Sequence, residues 1–213
     1  MTVRPIEAEL KFRAEDDGPL RALAVASLLG PALLGPVLIV VEVDRYLDTP
    51  DGRLAAKRWA CRLRSREGRT LVSLKGPAEH EPGDLLHRRP EVEGPGGPGL
   101  IPQSWPPSRA RDRLLRLIGG APLAERVALE QERTERPVAL DGARVGLLSL
   151  DRGTVLHRGV EVGRLAVVEL ELDPAALEAG VDHRPLATAL AAIPGLVADP
   201  LSKLERALAL LPA

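Results

Sequence analysis

Ile6-Glu7-Ala8-Glu9-Leu10-Lys11-Phe12 is the stretch on which the fold turns. In a strand, successive side chains point to opposite faces, so Glu7, Glu9 and Lys11 share one face while Ile6, Ala8, Leu10 and Phe12 take the other. Standing alone, such a segment is an ordinary amphipathic strand with its polar side in water. The stripe recurs, however. Arg62 and Arg64, Glu91 and Glu93, and Glu169 and Glu171 repeat the alternate spacing, with Lys75, Arg133 and Asp151 on the strands between. In an open sheet these would be weak surface ion pairs, worth about 0–1 kcal/mol each. In a sheet closed with this face inward they line a wet, charged bore, and the aliphatic face lies outside for Leu/Ala-rich helices to cover.

The chain of 213 residues is read as one domain over 1–213. Lys plus Arg number 29 against 30 Asp plus Glu, so there is no global basic footprint for nucleic acid or an anionic membrane. Phe12, Tyr46, Trp59 and Trp105 are the complete aromatic set and offer few platforms for unpaired bases. Cys61 is alone and cannot form an internal disulfide, and the N-terminus lacks the basic-then-apolar order of a secretory signal, so the cytoplasm is the expected compartment. Residues 22–41 carry no charge, but Gly30-Pro31 and Gly35-Pro36 interrupt them. They read as a buried helix, a turn and a strand, not as a membrane span. His80, His87, His157 and His183 are scattered without zinc-ligand spacing, and no Gly-x-x-x-x-Gly-Lys-Ser/Thr loop is present.

In order, the pattern predicts a helix over 19–29, capped by Asp16 or Asp17, then a strand over 37–47 and a turn at 49–52. Strands follow at 57–66, 70–75 and 85–93, with a polar loop at 78–84 and a Gly/Pro-dense excursion at 94–107. Ser108 caps a helix that stops at Gly119-Gly120. Strands at 126–140 and 145–151 flank an Asp141-Gly142 turn, with further turns at Arg152-Gly153 and 158–163 and a strand at 165–172. Helical pieces at 174–179 and 184–193 precede a last helix entered through Asp199-Pro200.

Clustered carboxylates repel one another unless cations intervene, and oxygen-only ligands suit a hard ion such as Mg²⁺ or Mn²⁺. Clustered Arg and Lys want the opposite guest, because guanidinium forks match phosphate oxygens. A bore holding both sets suits a metal-bound polyanion with several phosphates.

The ordered motifs resemble one family, the CYTH domains or triphosphate tunnel metalloenzymes. Glu7-Ala8-Glu9-Leu10-Lys11 is similar to its Glu-x-Glu-x-Lys signature, Tyr46-Leu47-Asp48-Thr49-Pro50 to its Tyr-Phe-Asp-Thr-Pro segment, and Arg62-Leu63-Arg64 to its Leu-Arg-x-Arg strand. Ser73-Leu74-Lys75-Gly76, Arg89-Pro90-Glu91-Val92-Glu93, Leu150-Asp151-Arg152-Gly153, Glu169-Leu170-Glu171-Leu172 and Ser202-Lys203-Leu204-Glu205-Arg206 continue the match in order. The resemblance implies an α+β fold: an eight-stranded antiparallel β-barrel, or tunnel, with helices packed on the outside. It implies triphosphate binding with Mg²⁺ or Mn²⁺. Glu7, Glu9, Glu169 and Glu171 would hold metal, with Glu91, Glu93 and Asp151 helping, and Lys11, Arg62, Arg64, Lys75, Arg133 and Lys203 would hold phosphates. Glu7, Glu9, Lys11, Glu169 and Glu171 would carry the catalysis. Two positions depart from the family pattern: Val167 stands where a third alternating Glu is frequent, and Ala207 where Gly follows the closing Glu-Arg.

The implied activity is hydrolysis of tripolyphosphate to pyrophosphate and phosphate. Its rivals are a nucleoside triphosphatase or class IV adenylyl cyclase, a thiamine triphosphatase using Trp59 or Trp105 to stack a ring, and a polyphosphate-binding module without turnover. The expected partner is a small triphosphate or polyphosphate, and a homodimer is compatible with the sequence.

Overall fold

The computed structural model describes residues 6–79 and 85–212, and its main sheet closes on itself. The first half of the chain forms β1 (Ile6–Ala14), α1 (Gly18–Val25), β2 (Leu28–Leu29), β3 (Ala32–Leu34), β4 (Leu38–Asp48), α2 (Arg53–Ala56), β5 (Ala60–Arg66), β6 (Arg69–Lys75) and β7 (Leu86–Pro95). The second forms α3 (Arg109–Ile118), β8 (Ala124–Leu140), β9 (Ala143–His157), β10 (Val160–Leu172), α4 (Pro174–Glu178), α5 (Arg184–Ala191), β11 (Leu196–Ala198) and α6 (Lys203–Leu208). The strands run β8-β4-β5-β6-β7-β1-β10-β9, and β9 pairs back onto β8, giving an eight-stranded antiparallel barrel. The short β2–β3 hairpin extends the sheet from β8, and β11 lies on β1. Among the described residues no helix is long and apolar enough to cross a membrane.

Alternation places the apolar face outward, and helices cover it. Leu10, Phe12, Leu86, Leu148, Leu150, Val168 and Leu170 lie beneath Leu20 and Leu23 of α1, Ala176 of α4 and Leu186 and Leu190 of α5. On another side Cys61, Leu63, Val72 and Leu74 lie beneath Leu114 and Ile118 of α3, with Trp105 in the same cluster. Burying each such aliphatic side chain is worth roughly 1.5–3 kcal/mol. A third cluster is different in kind. Tyr46, Val127, Leu129 and Val155 share the inward parity, and α6 inserts Ala207 among them with Leu204 and Leu208 alongside. This apolar plug fills part of one end of the bore.

Several sequence expectations change in detail. The helix expected over 19–29 stops at Val25, and residues 28–34 form the β2–β3 hairpin around Gly30 at φ +56°. The uncharged run lacks the alternation that marks longer strands, which is why it reads as helical. Asp17 occupies the N-cap of α1 without a side-chain bond, while the Asp16 carboxylate accepts from the Gly18 N–H at 2.6 Å. The strand expected from 57 starts at Ala60, because α2 occupies 53–56, held by the Asp48 carboxylate, which accepts from the Thr49, Leu54 and Ala55 N–H groups. Arg152-Gly153 is no turn but lies inside β9. A Cβ on Gly153 would stand 2.7 Å from Leu129 Cδ1, so this glycine makes room for the plug. The last helix is capped by Ser202 in a reciprocal capping box with Glu205, and Asp199 instead takes the Arg206 guanidinium. Most of the expected 78–84 loop lies outside the described residues. Within 94–107, β7 runs on to Pro95 and a short 3₁₀ turn spans Pro102–Ser104.

The α1–β2–β3 segment is fastened by one residue. Arg136, buried on β8, donates to the carbonyls of Leu23, Ala26, Leu34 and Gly35. Its removal leaves those carbonyls without a charged donor, so Arg136→Ala is expected to lower the urea-unfolding free energy by about 3 kcal/mol. A loss below about 1 kcal/mol would show that water satisfies them equally well.

Candidate functional site

Strand register decides which charges meet inside the bore. β1 lies between β7 and β10, which sets Glu7 opposite Arg89, Glu9 opposite Glu171 and Lys11 opposite Glu169. Asp44 faces Arg64 across β4–β5, Lys75 faces Glu91 across β6–β7, and Arg133 faces Asp151 across β8–β9. Cross-strand neighbours of opposite sign attract and of like sign repel, so the Glu9–Glu171 pair is the exception that invites a cation.

One set of carboxylates is committed to cations. Arg133 forks Asp151 at 2.7 and 2.8 Å, and Lys203 on α6 reaches both Asp151 and, at 2.6 Å, Glu169. Burial alone would raise both carboxyls. Arg133 and Lys203 outweigh it at Asp151, as Lys203 and Lys11 do at Glu169, and both are held below the ordinary carboxylate range. Arg64 likewise forks Asp44 at 2.7 Å through each nitrogen and approaches Glu42 at 2.9 Å. Gln131 donates to Glu42 and Asp44 from the facing strand.

A second set carries surplus negative charge. Glu7 takes Lys75 and, at 2.6 Å, Arg89, and these cations overcome burial to hold it at about 2. The same Arg89 reaches Glu9 Oε1 at 2.8 Å. Glu9 is nonetheless pushed up, by burial first and then by Glu169 and Glu7. Glu91 is raised by burial and by Glu7 despite Lys75, and its Oε1 is buried without a hydrogen-bond partner. Glu171 reaches solvent yet is pushed up to about 7, by desolvation and then by Glu7, Glu91 and Glu9. Unsatisfied hard oxygens with excess charge fit a divalent ion such as Mg²⁺ or Mn²⁺. As the side chains stand, no three His, Cys, Asp or Glu among the described residues converge tightly enough to enclose an ion. Lys75 and Arg89 are bound to Glu7 and Glu9 instead.

The cations converge nearby. An inner pocket of about 30 Å³ is lined by Lys11, Tyr46, Arg62, Lys75, Arg89, Glu169 and Lys203. It shares Lys11, Tyr46, Lys75 and Arg89 with a vestibule of about 540 Å³, whose walls include Arg58, Trp59, Pro77, His87, Arg126, Leu204 and Leu208. Lys11 is 2% exposed, and its Nζ makes no hydrogen bond, with Glu169 Oε1 at 3.4 Å. Tyr46, buried and beside Asp44, is pushed up to about 12 and stays a neutral phenol.

The charged strand residues singled out from the sequence lie on the bore's walls and Lys203 reaches in from α6, but they do not form one cluster. Glu93 is half exposed at the rim, 3.6 Å from Arg62. Arg64 and Arg133 do not line the inner pocket and are occupied by Asp44 and Asp151. Sequence reasoning left Arg89, Glu42, Asp44 and Gln131 unassigned. The signal was available, since Arg89 shares the parity of Glu91, and Glu42 and Asp44 that of Tyr46. Trp105 is buried beneath α3 and cannot reach the bore, whereas Trp59 lines its mouth with the Arg113 guanidinium 4.3 Å from its ring centre. Val167 is buried opposite Asp151, and Ala207 sits in the apolar plug. His80 lies outside the described residues.

The family model of the CYTH domain matches residues 5–184. The chain belongs to the CYTH-domain family. Solved structures share its fold. A putative adenylyl cyclase from Hippeastrum, described as having a dominant triphosphatase activity, superposes with a TM-score of 0.63 at 20% identity over 93% of each chain. A putative adenylate cyclase from Bacillus halodurans gives 0.60 at 20% identity, over 94% of this chain and 96% of that one. A protein from Pyrococcus horikoshii OT3 gives 0.54 at 16% identity, over 95% and 98%. No curated protein sequence matches the chain.

The surplus charge in this CYTH barrel is measurable. Because the folded carboxyl of Glu171 holds its proton up to about 7, its contribution to stability declines as pH rises from 4.5 to about 7. A ¹³C carboxyl titration of the metal-free protein should place its midpoint near 7, and Glu7→Gln should move it down towards the ordinary range. An unchanged midpoint in that variant would show that Glu7 does not act on it.

Proposed function

We propose that this CYTH-family chain is a divalent-metal-dependent hydrolase that cleaves inorganic triphosphate to pyrophosphate and phosphate inside the bore. The observation that carries the reading is Lys11: a buried ammonium without a hydrogen bond, facing a pocket where Arg62, Lys75, Arg89 and Lys203 converge. Glu169 Oε1 at 3.4 Å offsets its charge without a hydrogen bond, and a phosphate oxygen is a partner that would supply one. Glu7, Glu9, Glu91 and Glu171 would hold Mg²⁺ or Mn²⁺, with Glu93, Asp151 and Glu169 in support. Such an ion, when bound, offsets phosphate charge and lowers the pKa of a water in its shell.

The protein's own groups supply the remainder. Lys11, Arg62, Lys75 and Lys203 bind and align the phosphate chain, while Arg64 and Arg133 hold Asp44 and Asp151 and so fix the wall behind it. Water adds to the terminal phosphorus as the bridging P–O bond breaks, and pyrophosphate leaves with the bond's electron pair. Cations around the pocket stabilise the charge that develops on the leaving oxygen. The released proton leaves to solvent through the vestibule.

A second reading is favoured by one observation. Beyond the cations the vestibule is walled by Trp59, Pro77, Leu204 and Leu208, apolar groups suited to an organic triphosphate such as a nucleoside or thiamine triphosphate. A polyphosphate-binding module without turnover needs the cations but gives no role to the surplus carboxylates.

Phosphate release from tripolyphosphate, ATP, thiamine triphosphate and long-chain polyphosphate, each with Mg²⁺ and with Mn²⁺, separates these readings. Tripolyphosphate should be turned over fastest. Glu9→Gln and Glu171→Gln should each lose about 100-fold or more in kcat, and Lys11→Ala should raise KM about 10- to 100-fold, the worth of one charge-assisted hydrogen bond. Parent-like rates in both Gln variants would sink the metal assignment, and tight polyphosphate binding without release would favour the module.

A further inference from the structure

Arg89 stands where a cation shared by Glu7 and Glu9 would stand. β7 places it directly opposite Glu7, its Nε donates to Glu7 Oε2 at 2.6 Å, and its Nη2 donates to Glu9 Oε1 at 2.8 Å. One guanidinium thus bridges the two carboxylates of the N-terminal stripe. The same side chain lines both the inner pocket and the vestibule, beside Lys11 and Lys75. It therefore borders two kinds of partner, the carboxylates it now holds and the phosphate oxygens that the proposed function brings to the pocket.

We propose that Arg89 is an exchangeable counter-ion that couples metal binding to phosphate binding. The inference rests on the metal reading of Glu7 and Glu9 given above. Without the divalent ion, Arg89 neutralises the carboxylate pair and is unavailable to an anion. A guanidinium and a dication cannot occupy the same gap, so occupation of Glu7 and Glu9 by metal expels Arg89 towards the cavity, where it meets the phosphate chain. The competition weakens metal binding on its own and strengthens it when phosphate is present to receive the displaced arginine. By linkage, phosphate tightens metal as much as metal tightens phosphate. The device makes the loaded state one of metal and phosphate together and disfavours either alone.

The test uses the full chain with Mn²⁺ as the metal and imidotriphosphate as a triphosphate that resists cleavage, read by titration calorimetry in all four combinations. In the parent protein, imidotriphosphate should tighten Mn²⁺ binding by about 5- to 150-fold, the usual span of site-to-site coupling. In Arg89→Met, Mn²⁺ alone should bind more tightly than to the parent, and the coupling should fall, leaving only the direct attraction between ion and phosphate. Arg89→Lys, whose single ammonium can still move between the two partners, should retain an intermediate coupling, which guards against a folding defect in the Met variant. If both variants lose phosphate affinity equally with and without Mn²⁺, Arg89 is a fixed phosphate ligand and the proposal is overturned. If Mn²⁺ binds neither parent nor variants while imidotriphosphate still binds, the metal reading falls and the exchange with it.

Discussion

Burying charge is the constraint on which this structure depends. Closing the sheet with its charged face inward takes Glu7, Glu9, Lys11, Glu42, Asp44, Asp151 and Lys203 almost wholly out of water. Isolated buried ions cost several kcal/mol each, so the barrel is tolerable only if partners are supplied at the same depth. The register supplies them. Glu7 against Arg89, Lys11 against Glu169, Asp44 against Arg64, Lys75 against Glu91 and Arg133 against Asp151 are all direct cross-strand neighbours. A slip of one residue in any of these strands would turn its charges into the aliphatic layer and its aliphatics into the bore, so the ion pairs and the outer cores specify the same alignment.

That neutralisation is uneven, and the unevenness gives the bore its chemistry. Asp44, Asp151 and Glu169 are held as firm anions by the arginines and lysines beside them. Glu9, Glu91 and Glu171 are pushed the other way, by burial first and then by neighbouring carboxylates, Glu7 among them in each case. Opposed shifts within one cavity mark where charge remains to be satisfied by something that enters. On the cationic side Lys11 has its counter-charge in Glu169 at 3.4 Å but no hydrogen bond.

Much of this was legible in the sequence because a strand's alternation is strict. The parity of Glu7, Glu9 and Lys11, repeated at Glu91, Glu93, Glu169 and Glu171, requires a charged face, and the ordered motifs point to a closed one. What the linear pattern cannot express is which inward residues touch. Arg89 carries the same parity as Glu91, yet its bridge between Glu7 and Glu9 follows from the β1–β7 register. Local rules also misled where tertiary packing overrode them. Gly153 looks like turn chemistry but is a gap cut for Leu129, and the 28–34 hairpin is fastened by Arg136, more than a hundred positions along the chain.

The pairing of β1 with β7 and β10 also has a consequence in time. On a chain made from its N-terminus, β1 is synthesised before its neighbours, which lie about eighty and one hundred and sixty positions later, and Lys203 of α6 comes later still. Until then the first stripe must stay hydrated and its apolar face unshielded. Barrels dominated by such distant pairings fold slowly, since loop closure precedes any gain from contact. β1 is thus a stretch in need of protection, by speed of synthesis or by a chaperone, until β7, β10 and α6 have been made.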